Sequence, residues 1–226
     1  MINALLNLLF PPKCPFCARV LDRPGVCPVC EKELPWTAET ETVRKGSGGL
    51  RCAAPLWYEE LAREGVLRLK FRGAAAAAEP LGGLIARCAA EQFSGEFDVV
   101  TWVPVSKKRL RRRGYDQARL LAESACRVWQ TRPVRLLSKL ADNPAQSTLK
   151  EAAAQRANVL GVYAAMNGES IRGKRVLLVD DICTTGATLT ECIRVLKDAG
   201  AADVVCAAVA LTRPDAAGKS RGNVKE

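Results

Sequence analysis

Near the carboxyl end of the chain the apolar positions run continuously instead of alternating. In "GKRVLLVDDI", residues 173 to 182, a four-residue apolar block from Val176 to Val179 runs straight into two carboxylates. A strand that alternates has one wet face, whereas an unbroken run marks a strand buried on both faces, as in a parallel sheet covered by helices. This segment predicts such a strand, ending at Val179 on the carboxyl edge of a sheet. Gly186 to Ala199 then reads as a helix closed by Gly200, and "DVVCAAVAL" as another strand. Together they form a βαβ unit.

Upstream, "FDVVTWVPV" predicts a second buried strand, placed centrally in the sheet and stopped by Pro104. A strand-like stretch covers Ala53 to Tyr58, followed by a helical pattern through "LAREGVLRLKF". The run Ala74 to Ala78 opens another helix that continues through "LGGLIARCAAEQF", since alanine is the best helix former, although Pro80 and two glycines count against it. "VRLLSKL" predicts a further strand, and "ADNPAQSTLKEAAAQRANV" a loop that becomes helical. The fold class expected is α/β, a parallel sheet flanked by helices.

The amino-terminal part follows a different pattern. Met1 to Phe10 is apolar but lacks a basic leader and is about half the length needed to span a bilayer, so the reading is a soluble, cytoplasmic protein with no membrane insertion. Residues 37 to 50, "TAETETVRKGSGGL", are polar and end in a Gly-Ser-Gly-Gly cluster, which suggests a linker. The expected organisation is a cysteine module over 1–36, a linker over 37–50, an α/β domain over 51–213 and a polar tail over 214–226.

Cys14, Cys17, Cys27 and Cys30 have the spacing C-x₂-C-x₉-C-x₂-C. Two such knuckles can close a tetrahedral site around zinc. A disulfide framework would require an exported chain, and a redox C-x-x-C would sit in a βαβ context. Four thiolates leave no open coordination position, so the metal expected here is structural.

Charge and composition narrow the chemistry. The 226 residues carry 34 basic and 24 acidic side chains, a net charge of +10, which favours an anionic partner. Six of the seven residues from Lys107 to Arg113 are basic, directly behind the strand that ends at Pro104. With no histidine in the chain, Ser-His and Cys-His catalysis are excluded.

The sequence "DDICTTGAT" limits the ligand further. A Walker-type site needs Gly-x₄-Gly-Lys-Ser/Thr between strand and helix, and neither "GESIRGK" nor the "GKS" at 218–220 supplies it. A receiver domain starting at this strand would need more than the 45 residues that follow Asp181. A dinucleotide turn needs three glycines, and this one has a single glycine. A phosphorylated sugar remains. The turn after the acids brings backbone N–H groups together at a helix N-terminus, where a phosphate dianion is favoured. Thr184, Thr185 and Thr188 add hydroxyls, Ala187 an amide, and Gly186 close backbone approach. Two ionised acids beside a phosphate make sense as acceptors for a ribose diol.

This stretch resembles the phosphoribosyl-pyrophosphate signature of type I phosphoribosyltransferases. With the Cys₄ module, "LKFRG" at 69–73, "VPVSKKRLRRRGYDQA" at 103–118 and "QRANV" at 155–159, the order also resembles the ComF family, a zinc ribbon joined to a phosphoribosyltransferase-like domain. The resemblance covers residues 10 to about 213 and departs from the usual pattern at Asp116, where Asn is common.

It implies that Asp180 and Asp181 hold ribose and that residues Thr184, Thr185, Gly186, Ala187 and Thr188 hold the 5-phosphate. Val105, Ser106, Lys107 and Arg113 would hold the diphosphate with Mg²⁺, and Asp142 to Glu151 would be a mobile cover. The implied ligand is phosphoribosyl pyrophosphate, its phosphoribosyl group passing to an acceptor. No residue identifies the nucleophile or its base. The family's association with competence and DNA uptake implies an alternative, a non-catalytic protein that binds single-stranded DNA or partners in the competence machinery. Stacking aromatics for that role are few: Trp102, Tyr115 and Trp129.

Overall fold

The computed structural model describes residues 11–71, 75–140 and 161–214. The segment expected as a mobile cover, the loop-to-helix stretch around it and nearly all of the polar tail lie outside the described residues.

The order of elements begins with helix α1 (Pro28–Glu33) in the cysteine module, then strands β1 (Val43–Lys45), β2 (Arg51–Ala53) and β3 (Leu56–Trp57). Helices α2 (Glu60–Phe71) and α3 (Ala78–Gln92) follow, then β4 (Val99–Trp102), α4 (Lys107–Arg113) and α5 (Gln117–Val128). An antiparallel ribbon of β5 (Leu137–Lys139) and β6 (Tyr163–Ala165) precedes α6 (Gly168–Ile171), β7 (Arg175–Val179) and β8 (Ile182–Cys183). Helix α7 (Ala187–Asp198), β9 (Asp203–Ala207) and β10 (Ala210–Leu211) complete the domain.

The main sheet has the order β1-β2-β9-β7-β4 and is parallel throughout except for β1. Its two faces explain the unbroken apolar run. Leu177 and Val179 point into a core shared with α2, α3 and α5, while Val176 and Leu178 point into a second core shared with α7 and the β5–β6 ribbon. The expected βαβ unit is β7-α7-β9, with Leu178 opposite Cys206.

The structure departs from the sequence reading in three places. First, β4 lies at an end of the main sheet, not its centre. Apolar continuity reports burial of both faces, which β4 has through Val100 and Trp102 in one core and Val99 and Val103 against the other, while residues 133–136 cover its outer edge, where Val134 N–H donates to Val100 O at 2.8 Å. Second, residues 43–45 in the expected linker form β1, paired in register with β2 from Val43↔Ala53 to Lys45↔Arg51. A short, polar edge strand looks like a linker because only one of its sides is paired.

Third, the sheet is interrupted. β3, β10 and β8 form a second parallel sheet continuing β2, β9 and β7. The three breaks fall side by side, at 54–55, 208–209 and 180–181, and are stitched by Asp180 N–H to Ala207 O, Ala208 N–H to Ala53 O, and Val209 N–H to Asp181 O. Pro55 has no N–H to continue a ladder, which fits a break at that level. The two acids therefore lie at an interior discontinuity, with β8 beyond them.

The cysteine module packs on the α/β domain without an intervening gap. Cys14, Phe16, Cys27, Cys30 and Leu34 belong to the same buried cluster as Ala62, Val66 and Leu69 of α2. Phe16 fits against α2 where Gly65 presents no side chain; a Cβ there would lie 2.6 Å from the Phe16 ring. No helix among the described residues is long and apolar enough to cross a membrane.

Phe16 is 1% exposed. Phe16→Ala is therefore expected to cost about 3–5 kcal/mol in urea denaturation, with the cysteine module becoming sensitive to protease before the domain.

Candidate functional site

Cys14, Cys17, Cys27 and Cys30 place their Sγ atoms within 4.8 Å of one another. The Cys17–Cys27 separation is 3.7 Å, and a tetrahedron with Zn–S bonds of about 2.3 Å has an edge of about 3.8 Å. The first knuckle is closed by Ala18 N–H to Cys14 O and Cys14 N–H to Arg19 O. In the second, Cys27 caps α1 and its sulfur accepts from Cys30 N–H at 3.4 Å. That backbone donor brings the Cys27 thiol down to about 7, so one ligand is readily ionised. All four sulfurs thus fit a closed zinc site. The other six cysteines, at 52, 88, 126, 183, 192 and 206, are buried and scattered through the core.

The second centre is built around the strand break. Asp181 is 5% exposed, and both its carboxylate oxygens are engaged. Oδ1 is 3.0 Å from Lys70 Nζ at the end of α2, and Oδ2 accepts from Gln117 Nε2 of α5 at 3.1 Å. Gln117 in turn accepts from Arg113 through its Oε1 at 2.9 Å. Asp180 accepts from Asp181 N–H at 2.8 Å. Burial, and then the neighbouring charge of Asp181, push the Asp180 carboxyl well above the usual carboxylate range. The pair is asymmetric: Asp181 is buried and engaged by an ammonium and an amide, whereas Asp180 is half-buried and the more available partner.

Beyond β8, Thr184 and Thr185 are exposed and Gly186 opens α7. Gly186 has φ +78°, and a Cβ would fall 2.3 Å from Leu50, so glycine is required both by conformation and by space. Ala187 N–H donates to Thr185 Oγ1 at 3.4 Å, and Thr188 stands in the first turn of α7. Arg44 of β1 holds this turn from behind: its guanidinium donates to Cys183 O at 3.2 Å and also to Thr184 O and Thr212 O.

Val105, Ser106 and Lys107 follow β4. Val105 N–H donates to Asp116 Oδ2 at 3.2 Å, and the Ser106 hydroxyl accepts from Arg109 N–H as the N-cap of α4. Two of the groups assigned to an anion are thus engaged within the protein, while Lys107 is exposed. Asp116 also accepts from Trp102 Nε1 and, through Oδ1, from Arg119 N–H. Burial raises its carboxyl, and those donors partly offset the shift. Adjacent residues therefore reach both loops, Asp116 toward 105 and Gln117 toward 181.

Lys70, Gln117 and Arg44 were not among the residues expected from sequence. Lys70 and Gln117 stand inside the quoted segments "LKFRG" and "RRRGYDQ" but carry no pattern of their own. Arg44 had no signal, being one basic residue in a polar stretch.

Comparison with known proteins places two domains on this chain. Residues 5–64 match the double zinc ribbon domain and residues 122–226 the phosphoribosyl transferase domain. The chain is 29% identical over 189 residues to competence protein ComFC of Bacillus subtilis (strain 168), covering 84% of this chain and 73% of that protein. It is 30% identical over 140 residues to a ribose-phosphate pyrophosphokinase of Marinomonas sp. (strain MWYL1), covering 60% of this chain and 42% of the relative. Among solved structures, a glutamine phosphoribosylpyrophosphate amidotransferase from B. subtilis superimposes with a TM-score of 0.40 at 19% identity, over 63% of this chain and 30% of the other.

Two outcomes follow from this geometry. Protein purified under reducing conditions should hold one zinc per chain by elemental analysis, and Cys30→Ser should lose it. Lys70→Met leaves a buried carboxylate without its cation and should cost about 3 kcal/mol in urea denaturation. Lys70→Met/Asp181→Asn should recover most of that loss, a non-additivity that a double-mutant cycle measures.

Proposed function

This chain is a ComF-type protein, a double zinc ribbon joined to a phosphoribosyl transferase domain, and from that premise we propose that it binds 5-phosphoribosyl 1-pyrophosphate with Mg²⁺ and transfers the phosphoribosyl group to an acceptor. The observation that carries the reading is the strand break that sets Asp180 and Asp181 immediately before the Gly186 turn and the N-terminus of α7.

In this reading the ribose hydroxyls donate to Asp180 and to the lone pairs of Asp181 that Lys70 and Gln117 leave open, since a carboxylate accepts about four hydrogen bonds. The 5-phosphate lies on the turn from Thr184 to Thr188, met by hydroxyls and by the N–H groups that open the helix. Lys107 and the half-buried Arg113 face the diphosphate. During transfer the bond from the anomeric carbon to the diphosphate breaks, the electron pair leaves with the diphosphate, and the acceptor bonds to the opposite face of the sugar. Lys107 offsets the charge that builds on the leaving group, and the acids favour the positive charge that builds on the sugar.

Mg²⁺ would neutralise the diphosphate when bound. With Asp181 occupied by an ammonium and an amide, the paired acids are better suited to the sugar than to a metal, and the ion is assigned to the diphosphate.

A second reading has one observation in its favour. Helix α4 displays five of its six basic side chains on the surface, all but the half-buried Arg113, and the similarity to a competence protein suggests single-stranded DNA or competence-machinery proteins as partners. A cytoplasmic setting accompanies both readings.

Calorimetric titration of phosphoribosyl pyrophosphate with Mg²⁺ should show binding to the wild type and none to Asp180→Asn/Asp181→Asn; equal binding to both would overturn the proposal. Because Asp180 is raised, its ionised form grows as pH climbs through that higher pKa, and ligand affinity should climb with it. Asp180→Asn should flatten this dependence. If the second reading holds instead, oligonucleotide affinity should fall steeply with salt and with neutralisation of Arg111 to Arg113, yet ignore the aspartates.

A further inference from the structure

Between the end of β4, the turn from α4 to α5 and the β5–β6 ribbon lies a cavity of about 920 Å³. It falls within the size range of small-molecule sites, about 300–1,000 Å³. The lining includes Val105, Ser106 and Lys107 but none of residues 180 to 188. It therefore touches the loop assigned to the diphosphate without touching the sugar acids or the phosphate turn. An acceptor for in-line transfer must approach the face of the sugar opposite the diphosphate, so a cavity on the diphosphate loop is not the acceptor's place.

The walls combine two chemistries. Trp102, Tyr115 and several proline, leucine and methionine side chains supply apolar surface suited to a flat ring. Lys107, Arg119, Arg135 and Lys139 supply positive charge. The two acids in the lining are already satisfied by the protein. Asp116 accepts from three internal donors, and Glu123 pairs with Arg119 at 2.8 Å. Arg119 is also positioned over the Trp102 ring, its guanidinium carbon 5.9 Å from the centroid, so cation and aromatic surface already adjoin. Lys107 and Arg135 line the cavity, are exposed and have no ion-pair partner among the described residues. The net field in the cavity is cationic, and its volume is far greater than a bare phosphate fills.

We propose that this cavity binds a nucleoside monophosphate, with its base against the Trp102–Tyr115 wall and its phosphate toward Arg135 and Lys107. The site is separate from the phosphoribosyl pyrophosphate site and meets it only at residues 105 to 107. Binding there does not require the phosphoribosyl reading to be correct.

The test is calorimetric titration of AMP and of UMP, at low salt, into zinc-loaded full-length protein. Three forms are compared: wild type, Arg135→Glu and Asp180→Asn/Asp181→Asn, each also titrated with phosphoribosyl pyrophosphate. Arg135 is exposed, so its variant is expected to fold, as checked by its urea midpoint. The proposal expects at least one nucleotide to bind the wild type and the aspartate variant equally, and at least ten-fold more weakly to Arg135→Glu. Nucleotide binding that disappears in the aspartate variant and survives in Arg135→Glu would assign the nucleotide to the sugar site and overturn the cavity. Failure of both nucleotides to bind a folded wild type would overturn it as well. Loss of phosphoribosyl pyrophosphate binding alone bears on the sugar site at Asp180 and Asp181 and leaves the nucleotide cavity standing.

Discussion

A carboxylate almost removed from water must be held on both oxygens, and Asp181 is held by groups from two separate helices. Lys70 comes from the end of α2 and Gln117 from the start of α5. Truncating Lys70 would leave buried charge unpaired, a far larger penalty than losing a surface ion pair, and truncating Gln117 would leave a buried carboxylate oxygen without its donor. The position of Asp181 thus ties α2, α5 and the break between β7 and β8 into one geometry. Helix α2 is also the surface against which Phe16 of the cysteine module packs, and Asp116, next to Gln117, holds the loop after β4. Metal module, acids and basic loop are related through two helix ends.

The same contact resolves an electrostatic conflict. Two adjacent anions would repel a phosphorylated ligand if both were bare. One of them is already paired with an internal ammonium and an amide, which leaves Asp180 as the one acid without a cation of its own. A phosphorylated ligand of the kind proposed would then meet a set of acceptors with at most one uncompensated negative charge. The basic residues of α4 can then dominate the field without being cancelled at the site itself.

The sheet and its acids were legible because burial on both faces imposes a pattern that survives in a single sequence, as Val176 to Val179 demonstrate. The four-cysteine spacing was legible for a similar reason, since each knuckle is local. Strand order was not. β4 has the apolar pattern of a central strand because both its faces are packed, Val100 and Trp102 in one core and Val99 and Val103 against the other, and its place at the end of the sheet is a tertiary fact that no local pattern carries. The break at Asp180–Asp181 was hidden because β3, β8 and β10 are two residues each, too short for any periodicity. Lys70, Gln117 and Arg44 act across 111, 64 and about 140 positions of chain respectively, and nothing near them in sequence announces their partners.

Arg44 shows what such distance can accomplish. Each peptide unit is a rigid dipole, so anchoring its oxygen also sets the direction of the amide on its other side. By gathering the carbonyls of Cys183, Thr184 and Thr212 onto one guanidinium, Arg44 draws the negative ends of those peptides to the rear of the turn. An anion placed on the turn, as proposed, would therefore meet amides whose direction is set in part by a side chain on an edge strand.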